Sequence, residues 1–158
     1  MISIQFNPRY RSLKLKGPLT RAVKTTLAHE GVSPEADLSL VITGDAQLQK
    51  LNRRFRGVTK PTDVLSFPGG ELDKDNGRTY LGDVVISLPR ARTQAKLAGH
   101  QLIDEMQLLA VHGLLHLLGH DHGSREERYR MWGAQDEVLN ELGLSIRSIE
   151  AEGGHSRQ

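Results

Sequence analysis

Leu102-Ile103-Asp104-Glu105-Met106-Gln107-Leu108-Leu109-Ala110-Val111-His112-Gly113-Leu114-Leu115-His116-Leu117-Leu118-Gly119 is the stretch that decides how this chain folds. It reads as one helix from about Leu102 to Leu118, with Gly119 just past its end, where the left-handed backbone that closes many helices needs glycine. Its apolar heart, Met106 to Leu118, contains Gln107 and two histidines. It is too short to span a bilayer, which takes about 20 residues. It is therefore read as a buried helix at the centre of the fold.

Upstream, Gly99 separates this helix from another that starts near Pro89 and runs to about Ala98. Before that come two short strands, Asp63 to Phe67, closed by Pro68-Gly69-Gly70, and Gly82 to Ser87, with a polar loop or hairpin tip from Glu71 to Arg78. Asp45 is the expected N-cap of a helix over Ala46 to Phe55, and Leu38 to Thr43 is a further strand. Leu19, Ala22, Val23, Thr26 and Leu27 fall at helical spacing after Gly17-Pro18, and Gly31 stops that helix. Ile2, Ile4 and Phe6 alternate as in a half-buried strand ending at Asn7-Pro8. Downstream, Ser124 and Glu127 form a capping box for a last helix ending near Gly143. The expected fold is α+β, a single domain over residues 1–150, with about four strands in a mixed sheet and about five helices. Residues 151–158 are expected to be a flexible tail.

The chain has 158 residues, enough for one domain with a real core. It has no cysteine, which rules out disulfides and thiolate metal sites and fits a reducing cytoplasm. The N-terminus lacks the features of a signal peptide, so a cytoplasmic location is expected. No heptad seam is present, and a monomer is favoured. The net charge is only +2 but lopsided: residues 1–60 carry 11 Lys and Arg against 4 Asp and Glu, a balance of +7, and the remainder carries 10 against 15, a balance of −5. A basic half points to an anionic partner or to a solvated surface whose charges happen to cluster.

Four of the seven histidines lie in one window: His112, His116, His120 and His122. Residues four apart sit one turn apart on the same face of a helix, so His112 and His116 can aim both imidazoles at one point. Gly119 lets the chain turn back and bring His122 to that point. Two ligands from the helix and one from the returning loop leave a corner of a tetrahedral metal open to water. A lone histidine in an apolar helix is more often a core residue with satisfied hydrogen bonds. Burying two imidazoles among leucines without partners costs energy that a metal removes. His120 follows the glycine turn so closely that little chain remains to fold back, which favours His122 as third ligand. Asp121 is either an acceptor that orients a ligand imidazole or a simple turn residue. All-imidazole ligation suits Zn2+, although Ni, Co, Cu and Fe also take imidazole. A zinc-bound water has a pKa near ~7 and supplies a nucleophile at neutral pH.

The spacing H-x3-H-x5-H is shared with metzincin proteases, which place their general-base Glu directly after the first His. Gly113 occupies that position and cannot accept a proton, which argues against a peptidase. A second segment, Leu51-Asn52-Arg53-Arg54-Phe55-Arg56-Gly57-Val58-Thr59-Lys60, gathers four cations around one Phe. Arg53, Arg54, Arg56 and Lys60 either bind phosphate or simply meet the negative end of a helix dipole. Aromatic content is low, so extensive base stacking is not expected and backbone recognition is favoured.

The stretch His112-Gly113-Leu114-Leu115-His116-Leu117-Leu118-Gly119-His120-Asp121-His122 resembles the signature of the YbeY family of bacterial endoribonucleases. Pro61-Thr62-Asp63-Val64-Leu65-Ser66-Phe67-Pro68 resembles the family's second signature, and Leu81-Gly82-Asp83-Val84-Val85-Ile86-Ser87 its third. The likeness runs from about Ile2 to Leu144. The position of His120 is often Tyr in the family. The resemblance implies one zinc on His112, His116 and His122 and a functional arginine at Arg56. It also implies single-stranded RNA as substrate, around the 3′ end of small-subunit ribosomal RNA, with roles in ribosomal RNA processing and ribosome quality control. The expected arrangement is an RNA groove walled by the basic segment and floored by the histidine helix, with Arg56 stabilising charge on the phosphate. The rival expectation is a non-catalytic RNA- or ribosome-binding factor whose zinc is structural and closed by a fourth ligand.

Overall fold

The structure is a computed structural model that describes residues 1–33, 35–57, 62–73, 78–121 and 123–146. Its elements follow the order β1 (Ile2–Phe6), a 3-10 helix (Pro8–Leu13), α1 (Lys16–His29), β2 (Asp37–Thr43), α2 (Asp45–Arg56), β3 (Val64–Asp73), β4 (Arg78–Ser87), α3 (Leu88–Ala98), α4 (Leu102–Leu117) and α5 (Arg125–Glu141). The four strands make one mixed sheet in the order β1-β2-β4-β3. β1 and β2 are parallel, as are β2 and β4, while β3 runs antiparallel to β4 on an edge of the sheet.

Side-chain alternation along the strands separates two faces. Leu38, Leu40, Ile42, Val64, Val84 and Ile86 point to one of them and join α1, α3 and α4 in the main core. Leu65 and Val85 point to the other and pack on Leu48 of α2. On its far side α4 meets α5: Leu108, Val111 and Leu115 cluster with Met131, Val138 and Leu139, and with Ala22 of α1. Helix α4 is thus covered by the sheet on one flank and by α5 on another, and every residue from Glu105 to Leu115 is buried. That is the physical reason its sequence lacks a polar stripe. Fully burying a Leu or Met side chain contributes about 1.5–3 kcal/mol, which makes this helix the largest single contributor to the core.

The five residues expected to form the buried face of α1 are its buried residues: Leu19, Ala22, Val23, Thr26 and Leu27. Several boundaries differ from expectation. Gly17-Pro18 lies within the first turn of α1 rather than before it, where a missing N–H costs nothing because those groups have no partner inside the helix. Gly44, not Asp45, is the N-cap of α2. Asp45 is the first helical residue, and its carboxylate accepts from Ser87 Oγ at 2.5 Å. The strand expected to close at Pro68-Gly69-Gly70 continues to Asp73 across a register shift between Pro68 and Glu71, and β4 begins at Arg78. An edge strand tolerates this, since a proline there removes no hydrogen bond that a second neighbour needs and a bulge absorbs the irregularity. The expected tail at 151–158 lies outside the described residues. Among those described, no helix is long and apolar enough to cross a membrane.

Candidate metal centre and basic helix end

His112 and His116 sit one turn apart on α4, their ring centroids 5.1 Å apart and their planes at 74°. His112 is buried, with 3% of its surface exposed. Its Nδ1 lies 2.9 Å from Oε1 of Gln135, a buried residue of α5. An amide oxygen only accepts, so Nδ1 carries the hydrogen and donates it, and the lone pair of the neutral ring resides on Nε2. This is the state in which an imidazole ligates a metal, with the other nitrogen held by a second residue. The Nε2 atom of His116 is also buried. Two converging imidazoles, one of them fixed in the ligating tautomer, fit a zinc ion by the chemistry of their donor atoms. His122, the third expected ligand, lies outside the described residues. Among those described, no group of three or more His, Asp or Glu side chains converges on a metal position.

The helix ends as its sequence demands. Gly119 has φ +101°. The His120 N–H donates to Leu115 O at 3.0 Å and the Gly119 N–H to His116 O at 3.1 Å. This Schellman closure reverses the chain immediately after the second histidine. His120 is committed elsewhere: its Nε2 donates to Oε1 of Glu30, at the end of α1, at 2.5 Å. Glu30 also meets Nδ1 of His29 at 2.9 Å, and Nε2 of His29 meets Glu137 of α5 at 2.6 Å. The chain Glu137–His29–Glu30–His120 ties the turn after α4 to α1 and α5. Hydrogen bonding to Glu137 is the largest influence on His29 and raises its pKa against the opposing effect of burial. Burial pushes Glu30 up, but hydrogen bonds from His120 and His29 outweigh it and hold its carboxyl below the ordinary range. Asp121 is exposed in the same turn.

Gly113 lies between the two histidines and faces the sheet. A Cβ there would sit 2.6 Å from Val84 Cγ1 and 3.0 Å from Val64 Cγ2. A longer side chain at this position would enter the core, so the site where a metzincin carries its Glu is closed to a carboxylate here.

The basic segment ends α2. Arg53, Arg54 and Arg56 are exposed in its last turn, and Gly57 closes it at φ +68°. Nη1 of Arg56 donates to Oδ1 of Asn52 at 3.0 Å, and Asn52 is itself buried. Lys60 lies outside the described residues. The expected groove, walled by this segment and floored by α4, rests in part on Lys60 and His122, which lie outside the described residues. Gly113 of α4 faces Val64, Ser66 and Val84, whereas α2 packs on Leu65 and Val85. The bodies of the two helices therefore lie against opposite faces of the sheet, and both touch β4 and the edge strand β3. Successive residues of that strand serve the two sides: Ser66 Oγ donates to Gly113 O at 2.8 Å, and the Phe67 ring meets Phe55 of α2 edge-on at 5.3 Å.

Nothing in the sequence pattern marks Gln135 or Glu30, each distant along the chain from its histidine. Asn52 carries a faint signal, four residues before Arg56 on one helix face.

The comparisons with known proteins agree with this architecture. A family model described as Endoribonuclease YbeY matches residues 4–143. Endoribonuclease YbeY of Pelotomaculum thermopropionicum is 50% identical over 134 residues, covering 83% of this chain and 88% of the relative. That of Roseiflexus sp. is 41% identical over 152 residues, covering 91% and 94%. The solution structure of TM1509 from Thermotoga maritima superposes with a TM-score of 0.58 at 26% identity, covering 90% of this chain and 92% of that one. With its signatures carried by α4, β3 and β4 of a shared fold, the chain belongs to the endoribonuclease YbeY family.

Proposed function

We propose that this protein is a zinc-dependent endoribonuclease that cuts single-stranded RNA in the cytoplasm, acting in ribosomal RNA processing at the 3′ end of the small-subunit RNA and in ribosome quality control. The observation that supports the zinc assignment is the buried His112, its Nδ1 held by Gln135, one turn from His116 on a helix closed by the glycine turn at Gly119. Asp121, beside His122, is the candidate acceptor for a ligand imidazole. A bound zinc supplies Lewis acidity and lowers the pKa of water. The chain's own residues position the substrate. Arg56, anchored by Asn52, grips a phosphate and stabilises the charge that develops on its oxygens. Arg53, Arg54 and Lys60 add electrostatic attraction. Because α2 and α4 pack on opposite faces of the sheet, RNA that meets both Arg56 and the histidines passes over the β3 edge. The commitment of His120 to Glu30 supports a site left open to water rather than one closed by a fourth imidazole.

The deciding experiment is cleavage of matched single-stranded and duplex RNA by the purified protein, with and without a chelator, alongside Arg56→Ala, with metal content measured on the same samples. Zinc-loaded wild type is expected to cut the single strand, and both chelation and the substitution to abolish cutting. Stoichiometric zinc without cleavage would instead establish a non-catalytic RNA-binding factor. Cleavage that survives both treatments would assign the activity to a contaminant.

A further inference from the structure

The outer face of the sheet carries a groove of about 640 Å3 beside α2, on the side away from α4. Its volume falls within the range of about 300–1,000 Å3 usual for ligand sites. Leu51, Phe55 and Phe67 give it apolar walls, and Asn7, Gln47 and Asp83 give it polar edges. Phe55 stands out. It is 58% exposed, although an aromatic ring of its size is ordinarily buried. Phe67 braces it edge-on, and the Arg54 guanidinium lies 5.2 Å from its centroid. Arg53 and Arg56, in the same last turn of α2, are exposed like Arg54.

An exposed ring beside one guanidinium, with two more arginines in the same helix turn, combines the two features by which proteins hold single-stranded nucleic acid without reading a duplex. The ring stacks a base and the cations track the backbone. The polar edge suits the same ligand. The side-chain amides of Asn7 and Gln47 carry donors and acceptors, and the Asp83 carboxylate accepts from the Tyr80 hydroxyl and can accept from an exocyclic amine. The arginines complement phosphate, which is why RNA is favoured here over an apolar peptide. We propose that this groove is a nucleobase subsite, in which Phe55 stacks one base of the single-stranded RNA whose phosphates are gripped by Arg53, Arg54 and Arg56. The inference rests on the endoribonuclease reading and deepens it. It places one point of base recognition on the face opposite the histidines, so that the strand is anchored on one side of the β3 edge and presented on the other. It also refines the expectation that backbone recognition is favoured: the low aromatic content rules against a row of stacked bases but leaves room for one.

The test is fluorescence anisotropy of the zinc-loaded protein with a short labelled single-stranded RNA, and with the same RNA carrying abasic riboses, probe integrity being verified on a gel. Wild type is expected to bind the base-bearing probe more tightly than the abasic one. Phe55→Ala is expected to weaken the base-bearing probe about 5- to 150-fold, the range of one lost stacking contact, with no further effect on the abasic probe. Phe55→Trp should restore the difference, and thermal melting of both variants checks that the fold is kept. If wild type and Phe55→Ala bind both probes alike, the subsite does not exist and the groove belongs to a protein partner. If wild type binds neither probe, the RNA reading itself fails, and the subsite with it.

Discussion

The hydroxyl of Ser66 donates to the main-chain carbonyl of Gly113 at 2.8 Å, so an edge strand is bonded directly to the middle of the histidine helix. This contact requires that residue 113 have no side chain. Alanine is the better helix former by about 1 kcal/mol, but here its Cβ would meet Val84 Cγ1 at 2.6 Å and Ser66 Oγ at 3.3 Å. Overpacking a well-filled core costs about 1–3 kcal/mol. Gly113→Ala is therefore expected to lower stability by up to about 2 kcal/mol, the overpacking cost less the gain in propensity, as read from urea unfolding midpoints at constant slope. A raised midpoint would mean that α4 can move off the sheet without cost.

Gln135 holds His112 in the tautomer that can ligate. Residues that fix a ligand imidazole in this way affect metal affinity about 10- to 100-fold. Gln135→Leu is expected to weaken zinc binding by that factor in competition with a chromogenic chelator, and Gln135→Glu, which still accepts from Nδ1, to recover most of it. His116→Ala is the reference point and should abolish stoichiometric binding. Should Gln135→Leu keep wild-type zinc affinity while only its melting temperature falls, Gln135 is a core hydrogen-bonding partner and not a positioning residue.

The legibility of the sequence differs sharply between these features. Helix α4, the buried stripe of α1 and the turn at Gly119 follow from periodicity and from glycine's backbone freedom, which are local properties. The pairing of His112 and His116 follows from helix geometry alone. Gln135 and Glu30 became visible only in three dimensions, because a hydrogen bond between residues 23 or 90 positions apart leaves no periodic trace. The placement of α2 and α4 on opposite faces of the sheet is of the same kind. Both motifs were readable, but not which face each helix covers. The extension of β3 past Pro68 was hidden because Pro-Gly-Gly ordinarily ends a strand, and only its place on the edge permits it to continue.

His29 sets a pH dependence. Its two ring nitrogens face the carboxylates of Glu30 and Glu137, and only the imidazolium can donate to both. Its folded pKa is raised above 6.5, mainly by the bond to Glu137. The stability it contributes is therefore fully present below pH 6.5 and is lost as pH rises through the higher folded value. Glu30 acts at the other end: its pKa is lowered below 4.5, so its contribution is present above that value and is lost as pH falls through the folded one. Between about pH 4.5 and 6.5 both contributions hold. His29→Gln is expected to remove the decline on the alkaline side, seen as a flatter melting temperature from pH 6 to 9. Glu137 is 69% exposed, so the effect should shrink in high salt. Parallel curves for wild type and variant would remove His29 as the source.

Arg56 separates the phosphate reading from the dipole reading. If it only meets the negative end of α2, its removal costs about 0.3–1 kcal/mol of stability and nothing in cleavage. If it stabilises charge on the reacting phosphate, its removal costs about 10²–10³ in rate, the usual effect of deleting one such donor. Arg56→Ala is thus expected to retain zinc and fold yet lose single-turnover cleavage by at least two orders of magnitude. Lysine keeps the charge but not the planar fork that bonds two phosphate oxygens, so Arg56→Lys should rescue stability more fully than rate. Asn52→Leu provides an independent check. It leaves the arginine in place but removes the oxygen that holds Nη1 at 3.0 Å, so it should lower the rate by less than Arg56→Ala. In the Arg56→Ala background it should have no further effect on rate, since the side chain it orients is gone. Equal and additive losses from the two substitutions would show that they act through separate interactions, and Asn52 would no longer be the residue that positions Arg56.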